Sequence, residues 1–348
     1  MDSQTDDKVT IDQVAEMCGV SKTTISRFLN GKYENMSAET RARIDQCISR
    51  LNYRPNRSAQ RLKASRTMLI GCVIADVSSP FAAILLKGIT TVCEEAGYQV
   101  LFADSGCSAR RETRIIDGFL ENRVDGLIIN TCGGNDEYLL SLHRRGIPTV
   151  LADRELLESG QMDTVAAPNR QAAADTTRFL LDRGYTRVAF FSETIGTIAP
   201  RLLRRKGYEE AVRRFCPPGT EPEIYEFGKE DVPGCARGID SFIRRYPGER
   251  LAIFSSNGTS AQTILIALND AGLTVGYDLG LCTFDDWSPL RIAKPGITTV
   301  ANGTAEIGAE AARLLLERLN GKRPEGSPPV TIMIPTITAV RESTPGEV

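Results

Sequence analysis

The stretch TIDQVAEMCGVSKTTISRFLN, Thr10 to Asn30, has the grammar of two short helices joined by a tight turn. Thr10 followed three residues later by Gln13 is a capping-box signature, which starts a helix ahead of Ile11, Val14 and Ala15. Gly19 breaks that helix. Ser21 can cap a second one, in which Ile25, Phe28 and Leu29 recur at three and four positions, leaving Lys22, Thr23, Ser26 and Arg27 off the apolar face. Gly31 stops it. A third helix begins at Ser37, carries Glu39 in its first turn, buries Ile44, Ile48 and Leu51, and ends before Pro55. Three helices around a small core, two of them meeting at a glycine turn, make a helix-turn-helix.

The charge distribution agrees with that reading. The chain of 348 residues carries a net charge of −2, yet residues 8–66 hold twelve Lys/Arg against five Asp/Glu. Between Arg41 and Arg66 there are eight basic residues and one acid, Asp45. Such a local surplus is an electrostatic footprint for phosphate, with a solvated helix face as the competing explanation.

The residues V-T-x-x-Q-V-A at Val9–Ala15, G-V-S at Gly19–Ser21, T-x-S-R at Thr24–Arg27 and L-N-Y-x-P-N at Leu51–Asn56 resemble the headpiece of the lactose-repressor/galactose-repressor (LacI/GalR) family. The resemblance implies that Lys22 and Thr23 reach base edges in the major groove, with Arg27 on the same side. It places Ser21, Thr24, Ser26 and Asn30 against phosphates, which position without specifying; for Thr24 a plain helix-surface role stays open. The basic segment after Pro55, NRSAQRLKASR, then matches the family's hinge helix. Asn56 can cap it, Arg57 joins the DNA-binding set, and Leu62 matches the apolar wedge that the family drives into the minor groove. Leu62 could instead pack in a core, although Arg61 and Lys63 flank it. A helix this short does not hold itself together in water, so its folding should depend on DNA and on a second subunit.

From Met68 onward, strand-like runs alternate with helical stretches: LIGCVIAD, a helix from about Phe81 to Ala96, YQVLFADS, a helix through Ile115 and Phe119, and DGLIIN. A second series follows with RVAFFSE, a helix around Arg204 to Phe215, LAIFSSN, a helix through Ile264 and Leu268, and LGLCTFD. The alternation implies parallel sheets covered on both faces. The expected fold is therefore an all-α helix-turn-helix headpiece followed by a two-lobed α/β sensor with parallel sheets, resembling the periplasmic binding proteins. The boundaries expected are 8–54 for the DNA-binding domain, 55–67 for the hinge helix and linker, and 68–342 for the effector-binding domain. Within the last, about 68–165 and 298–328 would form the first lobe and about 166–297 and 329–342 the second.

Ligands of open α/β sheets bind beyond the carboxyl ends of the strands. Asp76, Asp104, Asp153, Asn257 and Asp285 fall there, each with a helix N-cap as the alternative role. The resemblance puts effector contacts on Phe81, Asp153, Arg204, Asn257, Asp285 and Asn302, and Asp76 joins them by its position. Trp287, the only tryptophan, could stack on a sugar ring or pack in the core. Arg201 and Arg205 beside Arg204 could hold a carboxylate or phosphate, or face solvent. Carboxylates, amides and an aromatic suit a sugar, and the arginines suit a sugar acid. The loop NGKYENMS, residues 30–37, resembles that of regulators of keto-sugar-acid use. The chain departs from the family where it has Asn257-Gly258, Pro168-Asn169 and Gly184-Tyr185, which weakens any transfer of ligand identity.

Composition narrows the alternatives. No apolar run approaches the ~20 residues of a membrane span, and the acidic start MDSQTDDKVT is unlike a secretory signal, so a cytoplasmic protein is expected. Nine cysteines without metal-ligand spacing read as buried thiols, and one histidine, His143, offers little for a metal site or a His-assisted nucleophile. No G-x-G-x-x-G, G-x-x-x-x-G-K-S/T or G-x-S-x-G occurs, so neither a cofactor nor catalysis is expected. The partners expected are a pseudo-palindromic double-stranded DNA operator, a sugar or sugar-acid effector and a second copy of the chain in a homodimer. The apolar stretch with Ile84, Leu85 and Ile89 is a candidate for that contact, with core packing as the default. A phosphocarrier corepressor stays open, and a solute-binding module without gene control is the alternative function.

Overall fold

The computed structural model describes residues 9–29, 32–33, 36–51, 53, 66–156, 160–324 and 326–346. The Thr10 hydroxyl accepts the Gln13 N–H at 3.3 Å while the Gln13 side chain accepts the Thr10 N–H at 2.7 Å, and this reciprocal cap starts α1 (Ile11–Cys18). Gly19 ends α1 at φ +61°, a conformation that glycine adopts without a Cβ penalty. Ser21 and Ser37 cap α2 (Lys22–Leu29) and α3 (Ala38–Arg50) through the N–H groups of Thr24 and Thr40. The small core is Val14, Ala15, Cys18, Ile25, Ile44, Cys47 and Tyr53. Ile48 and Leu51, expected inside, are half-buried at its rim, and Cys47 fills the interior instead. This headpiece, Met1–Thr67, is a unit distinct from the body, Met68–Val348.

In the body, one six-stranded sheet contains β1 (Leu69–Ile74), β2 (Gln99–Asp104), β3 (Gly126–Ile129), β4 (Thr149–Ala152), β5 (Asp163–Ala166) and β11 (Thr331–Met333), in the order β11-β5-β4-β3-β1-β2. The other contains β6 (Arg187–Glu193), β7 (Glu223–Phe227), β8 (Leu251–Ser255), β9 (Gly280–Phe284), β10 (Thr298–Ala301) and β12 (Ile337–Ala339), in the order β12-β10-β9-β8-β6-β7. Every pairing is parallel except that of β10 with β12. Alternation along β1 sends Ile70, Cys72 and Ile74 to one face, under α4 (Pro80–Glu95) and α12 (Thr304–Leu319). Val73 points to the other, under α5 (Ala109–Glu121) and α6 (Asp136–Arg144). The second sheet is likewise sandwiched, by α7 (Asn169–Asp182) and α8 (Ala199–Phe215) on one face and α9 (Val232–Arg245) and α10 (Gly258–Asp270) on the other.

The lobes exchange strands at a point the sequence did not mark. Residues 298–301, expected in the first lobe, form β10 and pair with β9 of the second. Thr331–Met333, expected in the second, pairs with β5 of the first. The chain therefore crosses after β5, β10 and β11, and only α12 and β11 of the C-terminal part belong to the first lobe. Helix α12 lies close on α4 because both contribute glycine at the crossing. A Cβ on Gly88 would sit 2.0 Å from the Ala305 carbonyl oxygen, and one on Gly308 2.3 Å from that of Leu85. Leu85 and Ile89 are wholly buried in this contact and are core, while Ile84 remains exposed. Seven of the nine cysteines are buried thiols, Cys107 is exposed, and His143 is on the surface of α6.

Candidate functional site

Helix α2 presents one polar and one apolar side. Ile25 is buried, whereas Ser21, Lys22, Thr23 and Arg27 are exposed and Thr24 and Ser26 half-buried. Ser21 Oγ and Thr24 Oγ1 are 2.9 Å apart, and Lys22 Nζ lies 2.8 Å from Asp12 Oδ2 of α1. Because that pair is exposed on both sides, the lysine gives up little on changing partner. Of the side chains that the sequence assigned to DNA, Ser21, Lys22 and Thr23 are accessible at the N-terminus of α2 and Arg27 is exposed in its last turn; a helix N-terminus suits phosphate and base edges. Asn30, Asn56, Arg57 and Leu62 lie outside the described residues, as does residues 55–65 of the hinge segment.

The second site is a cleft of about 330 Å³ between the two lobes of the body. Asp76 after β1, Asn130 after β3, Asp153 after β4, Glu193 at the end of β6, Asn257 after β8 and Asp285 after β9 all line it. Phe81, Arg204 and Trp287 line it too; of these residues, Asn130 and Glu193 were not among the sequence-derived candidates. Asn302 does not line the cleft: its Nδ2 donates to Asp285 Oδ1 at 2.9 Å, so it holds Asp285 from behind. Asp104 is also absent from the lining and accepts the Val77 N–H instead.

Arg204 is the wholly buried hub. Its Nε donates to Asn169 Oδ1 at 2.8 Å, its Nη1 to the Ser256 carbonyl at 2.7 Å, and the guanidinium stacks 3.8 Å from the Phe284 ring centroid. Burial lowers its pKa despite the nearby charges of Asp285 and Asp153. Burial likewise pushes the Asp153 carboxyl up to about 6, against the pull of Arg204 and Arg154, and raises that of Asp285. Both aspartates have left-handed backbone, φ +69° and +72°. Asp285 Oδ2 accepts the Gly258 N–H at 3.0 Å. Asn257 spends its Oδ1 on the N–H of Ser260, the helix-cap role that the sequence had left open.

Three further charged groups line the cleft beside Glu193: Arg201, which the sequence offered, and Arg154 and Lys229, which it did not. Arg201 bonds to the Glu193 carboxylate and donates to the Thr194 carbonyl at 2.7 Å, whereas Arg205 turns outward to Glu209. Lys229 Nζ donates to Asp76 Oδ2 at 2.7 Å, holding that carboxyl low against the opposing effect of burial. Among the described residues, Asp153 Oδ1, Glu193 Oε1 and Trp287 Nε1 are buried without a hydrogen-bond partner. A buried polar atom left unpaired costs about 1–3 kcal/mol, so each of these three is a group that a polar ligand can satisfy. The arrangement offers carboxylates to hydroxyl donors and guanidinium groups to an anion. Among the described residues no group of three His, Cys, Asp or Glu could hold a metal ion, and no helix is long and apolar enough to cross a membrane.

Comparison with known proteins bears on both sites. Residues 10–56 match the model of bacterial regulatory proteins of the lacI family, and residues 177–344 match that of a periplasmic binding protein-like domain. The chain is 33% identical over 343 residues to the HTH-type transcriptional regulator KdgR of Bacillus subtilis, covering 99% of this chain and 100% of the relative. It is 34% identical over 321 residues to the HTH-type transcriptional regulator PtxS of Pseudomonas putida, with 92% of each covered. Among solved structures, a lac repressor dimer bound to operator and the anti-inducer ONPF has the same fold, at TM-score 0.82, 22% identity and coverage of 97% and 99%. A complex of the transcriptional regulator CelR with cellobiose aligns at TM-score 0.68, 26% identity and coverage of 96% and 99%.

Proposed function

Because the chain belongs to the lacI family of bacterial regulatory proteins and is a DNA-binding transcription regulator, we propose that it is a repressor whose operator affinity is set by a sugar acid held in the interlobe cleft. The observation that carries the reading is the lining itself: Asp153, Glu193 and Asp285 stand with Arg154, Arg201 and Arg204 around one cleft. The carboxylates, Glu193 Oε1 and Asp153 Oδ1 above all, take hydroxyl donors. The guanidinium groups take an oxyanion, which a neutral sugar lacks. A structural neighbour described as a complex of the transcriptional regulator CelR with cellobiose supports a carbohydrate as the ligand.

On DNA, Lys22, Thr23 and Arg27 read base edges, while Ser21, Thr24, Ser26 and Asn30 hold phosphates. Asn56, Arg57 and Leu62 belong to a hinge helix that forms at the minor groove. The protein acts in the cytoplasm as a homodimer on a pseudo-palindrome, and it is a regulator rather than an enzyme. Exposed Val77, Ile84, Leu101 and Phe102 of the first lobe provide apolar area for the subunit contact. Effector acts by binding one arrangement of the lobes better than the other, and that difference in affinity bounds the switch.

The test is selection of fragments of the source genome by the purified chain, with and without a pool of hexonates, ketohexonates and neutral hexoses. Enrichment of a pseudo-palindrome that the acids alone alter supports the reading. Enrichment of no site by folded, dimeric protein in either condition, or of a site that neutral hexoses alter and the acids do not, sinks it.

A further inference from the structure

Trp287 is the only tryptophan in the chain and is 3% exposed, at the start of α11 (Ser288–Ile292) and in the wall of the cleft. Its ring lies flat on the first residue of α10: a Cβ on Gly258 would stand 2.6 Å from Cε3 and Cζ3 and 3.0 Å from Cδ2. Any side chain at position 258 would therefore collide with the indole. Gly258 N–H is in turn fixed by Asp285 Oδ2 at 3.0 Å, so the carboxylate, the helix start and the ring are held as one assembly. One face of the indole is thus committed to backbone, while Nε1 is buried with no partner among the described residues.

Resting on the sugar-acid reading, we infer that Trp287 is a specificity determinant of the cleft, its Nε1 donating a hydrogen bond to a carbonyl or carboxylate oxygen of the bound acid, with Gly258 as its positioning residue. An indole N–H donates and does not accept, so it needs an acceptor oxygen, and a carboxylate is the strongest acceptor that a sugar acid offers. The carboxylates of Asp153 and Glu193 have the opposite preference and take hydroxyls. Donor and acceptor walls together orient a ligand that carries an acidic end and a polyol end. A donor aimed at an oxygen also discriminates more strongly than an apolar surface, because a ligand lacking that oxygen leaves the buried N–H unpaired.

The test uses the full chain, with 2-keto-D-gluconate, D-gluconate, 2-keto-3-deoxy-D-gluconate and D-glucose as probes, calorimetry for affinity and tryptophan emission as a second readout. Since Trp287 is the only tryptophan, emission excited beyond tyrosine absorption reports on it alone and should shift saturably with the dissociation constant found calorimetrically. Trp287→Phe keeps an aromatic ring and loses the N–H; it should weaken binding of the preferred acid about tenfold or more while moving the affinity for D-glucose far less. Gly258→Ala should perturb the emission of the free protein and weaken the same acid. If an acid binds with no change in emission, or Trp287→Phe binds it within twofold of wild type, the inference is wrong while the sugar-acid reading stands. If wild type binds none of the acids, both fall.

Discussion

Lys229 Nζ of the second lobe reaches Asp76 Oδ2 of the first at 2.7 Å, spanning the cleft between the β7–α9 loop and the end of β1. The pair is partly solvated, with side-chain exposures of 51% and 26%, so its contribution falls in the range of about 0–1 kcal/mol. Lys229→Ala should therefore weaken effector binding by a few-fold at most, and 0.5 M salt should largely erase the difference from wild type. Calorimetric titration at two ionic strengths checks this. A large loss insensitive to salt would mean that Lys229 touches the ligand itself.

Asp153 is a buried carboxyl held at about 6 in the folded chain against an ordinary 3.8. The folded state thus binds its proton more tightly than the unfolded state. The penalty for ionising it is absent below pH 3.8, grows as pH rises through 6, and is full above that, amounting to roughly 3 kcal/mol as an upper figure. Asp153→Asn should raise the melting temperature at pH 8 and not at pH 4, while abolishing the effector response. Equal melting temperatures of the two proteins at pH 8 would contradict the assignment.

Arg204 stands near both Asp153 and Asp285, and its removal leaves buried Asp285 without a counter-charge and buried Asp153 with Arg154 alone. Arg204→Ala should destabilise the body by about 3–5 kcal/mol and eliminate the effector response, with ligand-free operator binding retained. Chemical denaturation and operator titration measure the two effects separately. A surviving response would place the ligand elsewhere.

Lys22 is the exposed cation at the start of α2. Lys22→Ala should cost about 1–3 kcal/mol on the selected operator and relax preference at the base it reads. Uniform weakening on all sequences, with a shallower salt dependence, would make it a phosphate contact instead.

Much of this arrangement was legible because local rules set it. The Thr10–Gln13 cap and the Gly19 stop are written in adjacent residues, and polar strand ends marked Asp76, Asp153 and Asp285. Glu193, which ends RVAFFSE, satisfies the same strand-end rule and was available to it. Arg201 stands one helical turn before Arg204 on α8, a spacing that puts both on one face; only the surrounding lobe decides whether that face is wet. Arg154 and Lys229 lie in loops, where no periodicity points to a partner. Asn257 could not be resolved between ligand and cap, because both use the same oxygen at the same strand end. Which sheet receives β10 or β11 was beyond reach for another reason. Each is a short β-prone run, and pairing with β9 or β5 is a tertiary choice that leaves no local signature.

The most direct measurement is the anisotropy of a labelled operator titrated with wild-type protein at fixed salt, in buffer, in saturating D-glucose and in saturating acid, the acid being whichever of the three acid probes binds by calorimetry. A midpoint displaced by about tenfold or more with the acid, and unmoved by glucose, is the result expected of a cleft whose occupant sets operator affinity, since a coupling of this kind runs to about 1–3 kcal/mol. The same midpoint in all three conditions, with the acid bound, would contradict it.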